Sequence, residues 1–157
     1  MTIKLLAIGK TDRKELQQLV AIYTKRLGHY INFEMETLPD IRKSGNLSQD
    51  RQLQMEGTAI LKKINPSDVV YLLDEKGKAS NSLEFAEFLQ KQMNAGVRIF
   101  VLVIGGPYGF SQEVYGRAAG MISLSRMTFS HQMVRLFIVE QLYRAFTILR
   151  NEPYHHQ

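Results

Sequence analysis

A glycine-rich turn, Gly105-Gly106-Pro107-Tyr108-Gly109, follows the most apolar stretch of the chain. It comes after a predicted strand and before a predicted helix, which is where an open α/β sheet places its ligands. Adjacent glycines let the flat face of a ligand approach the backbone. The spacing differs from the G-x-G-x-x-G of dinucleotide-binding folds and from the phosphate-binding P-loop. By itself the segment fits a tight strand-to-helix turn as well as a ligand site.

A second segment with side chains suited to binding or catalysis joins the last predicted strand to the last predicted helix. Residues 123–132 read Ser-Leu-Ser-Arg-Met-Thr-Phe-Ser-His-Gln. Backbone groups here can read the edge of an adenine, with Met127 and Phe129 as walls for the base. Two alternatives stay open: the apolar side chains plug the core, and His131 packs or caps at the start of the helix.

The tail at 151–157, Asn-Glu-Pro-Tyr-His-His-Gln, leaves a helix that Pro153 cannot continue. Its tyrosine and histidines suit stacking on an unstacked base and moving a proton, which base-modifying enzymes require. A frayed tail is the alternative. Two adjacent histidines also suit a metal, but no third ligand stands at metal-site spacing, so we expect none.

The charge favours a polyanionic partner. Lys plus Arg total 20 against 15 acids, a net charge of +5, and the residues from 98 onward contain six arginines and no lysine. Because the guanidinium is a planar fork that suits phosphates and interfaces, Arg126, Arg135, Arg144 and Arg150 are candidates for individual roles. Ordinary solvated surface charge is the alternative for each.

Length and composition indicate a single folded domain spanning 1–157. The chain has 157 residues, 45% of them hydrophobic, and no cysteine, which excludes disulfides, thiolate metal sites and a cysteine nucleophile. The N-terminal apolar run is too short for a signal peptide, and no 18-residue apolar stretch occurs. We therefore expect a cytoplasmic protein that makes no use of a membrane.

Hydrophobic patterning predicts strands alternating with helices. We expect strands at 3–8, 31–38, 69–73, 97–104 and 121–124. The first helix is expected to be capped near Asp12 and Glu15, the third by an Asn81–Glu84 capping box and the fourth by Ser111. A polar loop is expected around 44–46. This alternation predicts an α/β domain with a mostly parallel sheet of five or six strands and helices on both faces.

The last helix, expected at 132–150, is apolar on nearly every side, apart from a narrow stripe of Glu140, Arg144 and Thr147. A helix that is apolar all round must be buried all round. One small sheet cannot cover it, so we expect a homodimer. A central core helix of a monomer is the alternative.

Several motifs together resemble the bacterial ribosomal RNA large-subunit methyltransferase H family. They are residues 103–109, 124–131, 140–145 and 153–155, supported by 6–10, 23–27 and 72–78. The resemblance covers essentially the whole chain. In one place the sequence departs from the family, because Ser130 stands where proline is common.

The resemblance implies an α/β-knot (SPOUT) fold with a C-terminal trefoil knot, an obligate homodimer and bound S-adenosylmethionine. The implied substrate is a pseudouridine of 23S ribosomal RNA, methylated at N3 on the assembled ribosome. The implied cofactor-binding residues are Leu73, Gly105, Gly106, Leu124, Ser125, Arg126, Met127, Thr128 and Phe129.

For catalysis, we expect Arg144 to stabilise phosphate or a developing negative oxygen, Tyr154 to position the base and His155 to accept the proton. Arg135, Arg144 and His131 are candidates for RNA contacts, and Arg135 also for contacts across the dimer. A non-catalytic ribosome-binding protein is the main alternative function. A nicotinamide-dependent dehydrogenase is a weaker one, because the dinucleotide fingerprint is missing.

Overall fold

The computed structural model describes residues 1–41 and 47–155. The loop expected at 44–46 and the second tail histidine, His156, therefore lie outside the described residues. The elements in chain order are β1 Thr2–Ile8, α1 Lys14–Leu27, β2 Asn32–Leu38, α2 Gln49–Leu61, β3 Val69–Ala79, α3 Ser82–Asn94, β4 Ile99–Ile104, α4 Gln112–Arg117, β5 Gly120–Ser123 and α5 His131–Leu149.

The five strands form one parallel sheet in the order β2-β1-β4-β3-β5. Parallel neighbours need crossover connections, and the intervening helices supply them. The predicted α/β class and parallel sheet are confirmed, with five strands. The trefoil knot that the resemblance implies stays a prediction.

Two apolar layers cover the sheet. On one face, β1 and β4 residues such as Leu5 and Leu102 pack against α1, α3 and α5. On the other, Leu6, Val103 and Leu72 pack against α2 and α4. The central strand β4 is buried on both faces and is apolar at every position, which is typical of parallel sheets, whereas the edge strand β2 is largely exposed and carries polar residues.

The predicted N-terminal cap is observed at helix α3 but not at helix α1. The Asn81–Glu84 capping box is present, with both hydrogen bonds at 2.9 Å. Helix α1 instead begins after Arg13, which makes no side-chain cap bond. The expected cap at Asp12 is wrong, because that segment is tied to α5: the Asp12 amide donates to Gln132 Oε1 at 3.1 Å. Ser111 is the N-cap of α4 by position but makes no cap bond to the helix amides.

Strand β3 is longer than predicted. It continues past Leu73 to Ala79, because Lys78 and Ala79 pair with Ile122 and Ser123 after an irregularity in the register. Gly77 has to be glycine there, since a Cβ would lie 2.6 Å from the backbone nitrogen of Ile122. The extension holds the short strand β5 against the sheet.

Candidate active site

A cavity of about 570 Å³ opens at the carboxyl ends of β4, β3 and β5. Leu73 of β3 is in register with Ile104, the last residue of β4, and with Ile122 near the end of β5. Strands β4 and β5 therefore end beside Leu73, whereas β3 continues to Ala79. This volume lies within the range of small-molecule sites. We call this cavity the cup. Its walls are the Gly105–Gly109 turn, the ends of the strands and the segment 124–130 between β5 and α5, which we call the connector.

The glycine turn is packed too closely for side chains. A Cβ on Gly105 would lie 2.8 Å from the Gly109 carbonyl oxygen, and a Cβ on Gly106 would lie 2.5 Å from Glu56 Oε2. Gly109 has a φ of +82°, which L side chains rarely adopt. Gly105, Gly106 and Gly109 therefore bring bare backbone to the cup, and Pro107 and Tyr108 are the two lining residues of the turn that have side chains.

The connector is shaped by its own hydroxyl groups. Ser123 Oγ donates to the Ser125 carbonyl at 2.7 Å, and Ser125 Oγ accepts from the Met127 amide at 2.9 Å. Ser130 accepts from the Met133 amide at 3.3 Å and caps α5. Ser130, at the position where the resemblance implies proline, is thus the N-cap of the last helix. Thr128 donates to Glu75 at 3.4 Å and links the connector to the end of β3.

All the predicted cofactor-binding residues except Arg126 line the cup, namely Leu73, Gly105, Gly106, Leu124, Ser125, Met127, Thr128 and Phe129. Arg126 is exposed and is not part of the lining. His131, predicted as an RNA contact, also lines the cup. Met127 is 73% exposed at its edge, whereas the Phe129 ring packs 4.8 Å from that of Phe137.

Sequence reasoning missed one polar pair in the cup, Asp74 and Tyr115. Tyr115 Oη donates to Asp74 Oδ2 at 2.6 Å. Burial and this hydrogen bond raise the pKa of Tyr115 to about 12. The available signal was position, because Asp74 directly follows the strand predicted at 69–73 and is therefore expected at the edge where ligands bind.

A second polar group lies at the other end of α5. We call Glu140, Arg144, Tyr154 and His155 the C-terminal cluster. Glu140 Oε1 accepts from Arg144 Nη2 at 2.6 Å and from Tyr154 Oη at 3.1 Å. The hydrogen bond to Glu140 raises the pKa of Arg144, and burial is the main cause of the raised pKa of Tyr154. These effects keep Arg144 cationic and Tyr154 protonated at neutral pH.

The predicted catalytic residues therefore come together, with His155 Nδ1 3.4 Å from Arg144 Nη1. They do not meet the cup within one chain. Val134 is the last residue of α5 that lines the cup, and Arg144 lies ten residues further along the helix, a rise of about 15 Å.

Arg135 does not occupy the position expected of an RNA contact. It is fully buried, and its guanidinium donates to the Ile8 carbonyl at 2.7 Å and to Thr11 Oγ1 at 3.1 Å. Burial lowers its pKa. The side chain fixes the end of β1 to α5 and faces neither solvent nor an outer surface, because the helix turns it inward toward the sheet.

Within residues 1–41 and 47–155, no three His, Asp or Glu side chains are arranged to hold a metal ion. In the same part of the chain, no helix has both the length and the apolar character needed to cross a bilayer.

Comparison with known proteins identifies the family to which the chain is similar. Residues 1–155 match the family described as predicted SPOUT methyltransferase. The chain is 61% identical to "Ribosomal RNA large subunit methyltransferase H" of Christiangramia forsetii, 55% to the protein of that name in Porphyromonas gingivalis and 48% to that in Bacteroides thetaiotaomicron. Each match covers 100% of both chains.

Proposed function

The chain belongs to the SPOUT methyltransferase family, and on that premise we propose that it methylates large-subunit ribosomal RNA with S-adenosylmethionine as the donor. The observation that carries the proposal is the cup: the glycine turn and the connector, distant in sequence, line one cavity. The names of the full-length relatives support the ribosomal substrate.

The residues of the cup fit this donor. Glycine is required at positions 105 and 106, because a Cβ there would clash with Gly109 and Phe110 or with Glu56. The bare backbone that results lines the cup, and we propose that it accepts the flat face of an adenine. Leu73 and Leu124 supply apolar contacts, and the connector offers amides and carbonyls to the base edge. When bound, S-adenosylmethionine supplies an activated methyl group on its positively charged sulfur, so the protein needs neither a metal nor a covalent intermediate.

The acceptor we propose is N3 of a pseudouridine in 23S ribosomal RNA. This nitrogen carries a proton, so the base must be held in place and the proton must leave. The C-terminal cluster offers groups for both tasks. Arg144 balances negative charge on phosphate or on the base oxygen, and Tyr154 positions the base. His155 is the candidate proton acceptor.

The geometry at His155 limits that last role. A guanidinium only donates hydrogen bonds, so Nδ1 of His155 accepts from Arg144 and its lone pair faces a cation. Proton acceptance by His155 therefore requires either a change of tautomer or separation from Arg144 when RNA binds.

A homodimer resolves the separation between the cup and Arg144, which lies about 15 Å of helical rise beyond Val134, the last residue of α5 in the cup lining. We propose that Arg144 of the partner subunit reaches the cup of the first. Apolar side chains for such an interface are exposed on α1, with Leu19 at 43% and Ile22 at 47%, and on α5, with Met133 at 38%. The half-buried Phe137 lies one turn beyond Met133 on the same face of α5.

A heterodimer with two different tags tests this arrangement. One subunit carries Gly105→Ala, which blocks its cup, and the other carries Arg144→Ala. If each active site takes Arg144 from the partner, one of the two sites stays complete, and the heterodimer keeps about half of the wild-type rate. Should each site use its own Arg144, no complete site remains and the activity is lost. Both mutant homodimers serve as inactive controls.

The substrate is expected to be the cytoplasmic ribosomal particle. At 157 residues the chain offers little surface for reading RNA sequence on its own, so neighbouring ribosomal surfaces must help to position the target. The competing function, ribosome binding without catalysis, accounts for the net charge of +5 but gives no reason for the cup.

The test of function uses ribosomes from a strain that lacks this gene. The full-length protein and S-adenosylmethionine should add one methyl group to a pseudouridine of 23S RNA, detected by mass spectrometry of nucleosides. Isolated stem-loop RNA should be a poor substrate. Failure to bind S-adenosylmethionine in a calorimetric titration, or binding without methyl transfer to any ribosomal particle, would overturn the proposal.

A further inference from the structure

We propose that Asp74, held in place by Tyr115, recognises the positive charge on the sulfur of the methyl donor, so that the cup prefers the charged donor to the uncharged product. This inference rests on the proposed function and adds a residue to it. In the transfer, the nitrogen lone pair forms the new N–C bond, the N–H proton leaves to a base, and the electron pair of the S–C bond stays on sulfur. The sulfur thereby becomes neutral.

The carboxylate of Asp74 is fixed at both oxygens. Oδ1 accepts from the Lys76 amide at 2.9 Å, and Oδ2 accepts from Tyr115 Oη at 2.6 Å. Asp74 follows the last residue of β3 that pairs with β4, and it lines the cup. A carboxylate has about four acceptor positions, so two bonds fix its orientation and leave it able to act on a ligand.

Tyr115 is itself held rigidly. Its ring meets the Phe110 ring edge-on at 5.7 Å, and its hydroxyl lies 3.4 Å from where a Cβ on Gly109 would stand. With its pKa raised to about 12, mainly by burial, Tyr115 keeps its proton at neutral pH and donates a hydrogen bond to Asp74. The negative charge of the pair therefore stays on the carboxylate.

The surroundings suit a cation that has no N–H to donate. Phe110 and Tyr115 both line the cup beside Asp74, and aromatic rings next to a carboxylate attract cations that lack hydrogen-bond donors. The other charged side chains of the lining are Glu75 and Lys76, both exposed, with His131 near the start of α5. Glu75 accepts a hydrogen bond from Thr128. Asp74 is the acid of the lining that is held by the partly buried Tyr115.

The experiment is calorimetric titration of the full-length protein with S-adenosylmethionine and, separately, with S-adenosylhomocysteine. The two ligands share the adenosine, the ammonium and the carboxylate and differ in the charge on sulfur. Asp74→Asn keeps the shape of the side chain and one of its two hydrogen-bond acceptors but removes the charge. For this variant we expect a loss of affinity of about tenfold for the charged donor and of about twofold or less for the product.

Three variants control the result. Asp74→Glu keeps the charge and should retain a preference for the donor. Glu75→Gln removes one negative charge from the next residue and should change the donor-to-product ratio less than Asp74→Asn does. Tyr115→Phe keeps the ring and loses the hydroxyl, so it should lower the ratio by about threefold through a less ordered carboxylate. If circular dichroism shows that Asp74→Asn does not fold, the Tyr115→Phe variant still tests the inference.

The outcomes separate this inference from the proposed function. A wild-type protein that binds neither ligand contradicts the proposed function. A wild-type protein that binds the donor, with Asp74→Asn weakening both ligands equally, overturns only the role of Asp74, because the carboxylate then acts on a group that donor and product share. An unchanged affinity for both ligands overturns it as well.

Discussion

The guanidinium of Arg144 lies over the ring of Tyr154, 4.7 Å from its centroid, and Glu140 Oε1 accepts a hydrogen bond from each of these side chains. The C-terminal tail is thereby attached to the last helix, even though Pro153 prevents the helix from continuing. A cation and a phenol that are fixed against each other form a preorganised surface for an anionic or planar group.

Tyr154→Ala should lower the rate of methyl transfer by about a hundredfold, because it removes the ring on which Arg144 is positioned. Tyr154→Phe keeps the ring but loses the hydroxyl bond to Glu140, so its loss should be much smaller. The measurement is the turnover rate on ribosomal particles. Affinity for S-adenosylmethionine, measured in parallel, should not change, since Tyr154 is not among the described residues of its own chain that line the cup. Wild-type turnover by Tyr154→Ala would contradict the assignment.

His155→Ala should slow the single-turnover rate by about a hundredfold at neutral pH if His155 accepts the proton from N3. His155→Gln is the matched variant, because its amide oxygen still accepts from Arg144 but does not titrate. Equal losses in the two variants, with rates that rise steadily with pH, indicate a proton acceptor. Rescue by glutamine indicates a positioning role. A full rate in His155→Ala means that solvent takes the proton.

Gly105→Ala should abolish donor binding, because the new Cβ would lie 2.8 Å from the Gly109 carbonyl oxygen and 3.1 Å from the Phe110 ring. Gly116→Ala is the control: a Cβ there meets nothing within 4 Å, and alanine favours the helix by about 1 kcal/mol. Calorimetry and thermal melting distinguish a blocked cup from a general loss of folding. Donor binding by Gly105→Ala at wild-type affinity would refute the role of the turn.

Arg135→Met should reduce the free energy of unfolding by about 3 kcal/mol, since the Ile8 carbonyl and Thr11 lose a buried partner. The exposed Arg126 gives the comparison, and Arg126→Met should change stability by less than about 0.5 kcal/mol. Urea unfolding measures both. An unchanged stability for Arg135→Met would show that the buried guanidinium does little to hold β1 to α5.

Alkaline pH should destabilise the folded protein through Tyr115. Its pKa is raised from 10.0 to about 12 by burial and by Asp74, so the folded state keeps a proton that the unfolded chain releases. This contribution is complete below pH 10 and is lost as the pH rises toward 12. The melting temperature of Tyr115→Phe should fall less steeply over that interval than that of the wild type. If the melting temperatures of the two proteins fell in parallel over that interval, ionisation of Tyr115 would not be coupled to unfolding.

Local sequence signals predicted much of the fold. The five strands and five helices follow from apolar runs, helical spacing and turn residues, and the capping box at Asn81 and Glu84 forms as expected. The extension of β3 to Ala79 was not predictable, because it depends on pairing with Ser123, 44 positions away in the sequence. The cap at Asp12 failed for the same kind of reason, since its amide bonds to Gln132 of α5.

The sequence by itself determined the alternation of strands and helices, the bare glycine turn and the chemical content of the connector and tail, because each is encoded by neighbouring residues. Only the tertiary structure decided that β3 lies between β4 and β5, so that Leu73, Ile104 and Ile122 lie side by side and line one cavity. It also turned Arg135 inward and placed Arg144 at the far end of α5 from the cup. These outcomes depend on which distant segments bury apolar surface against each other, and that choice is made by the whole chain.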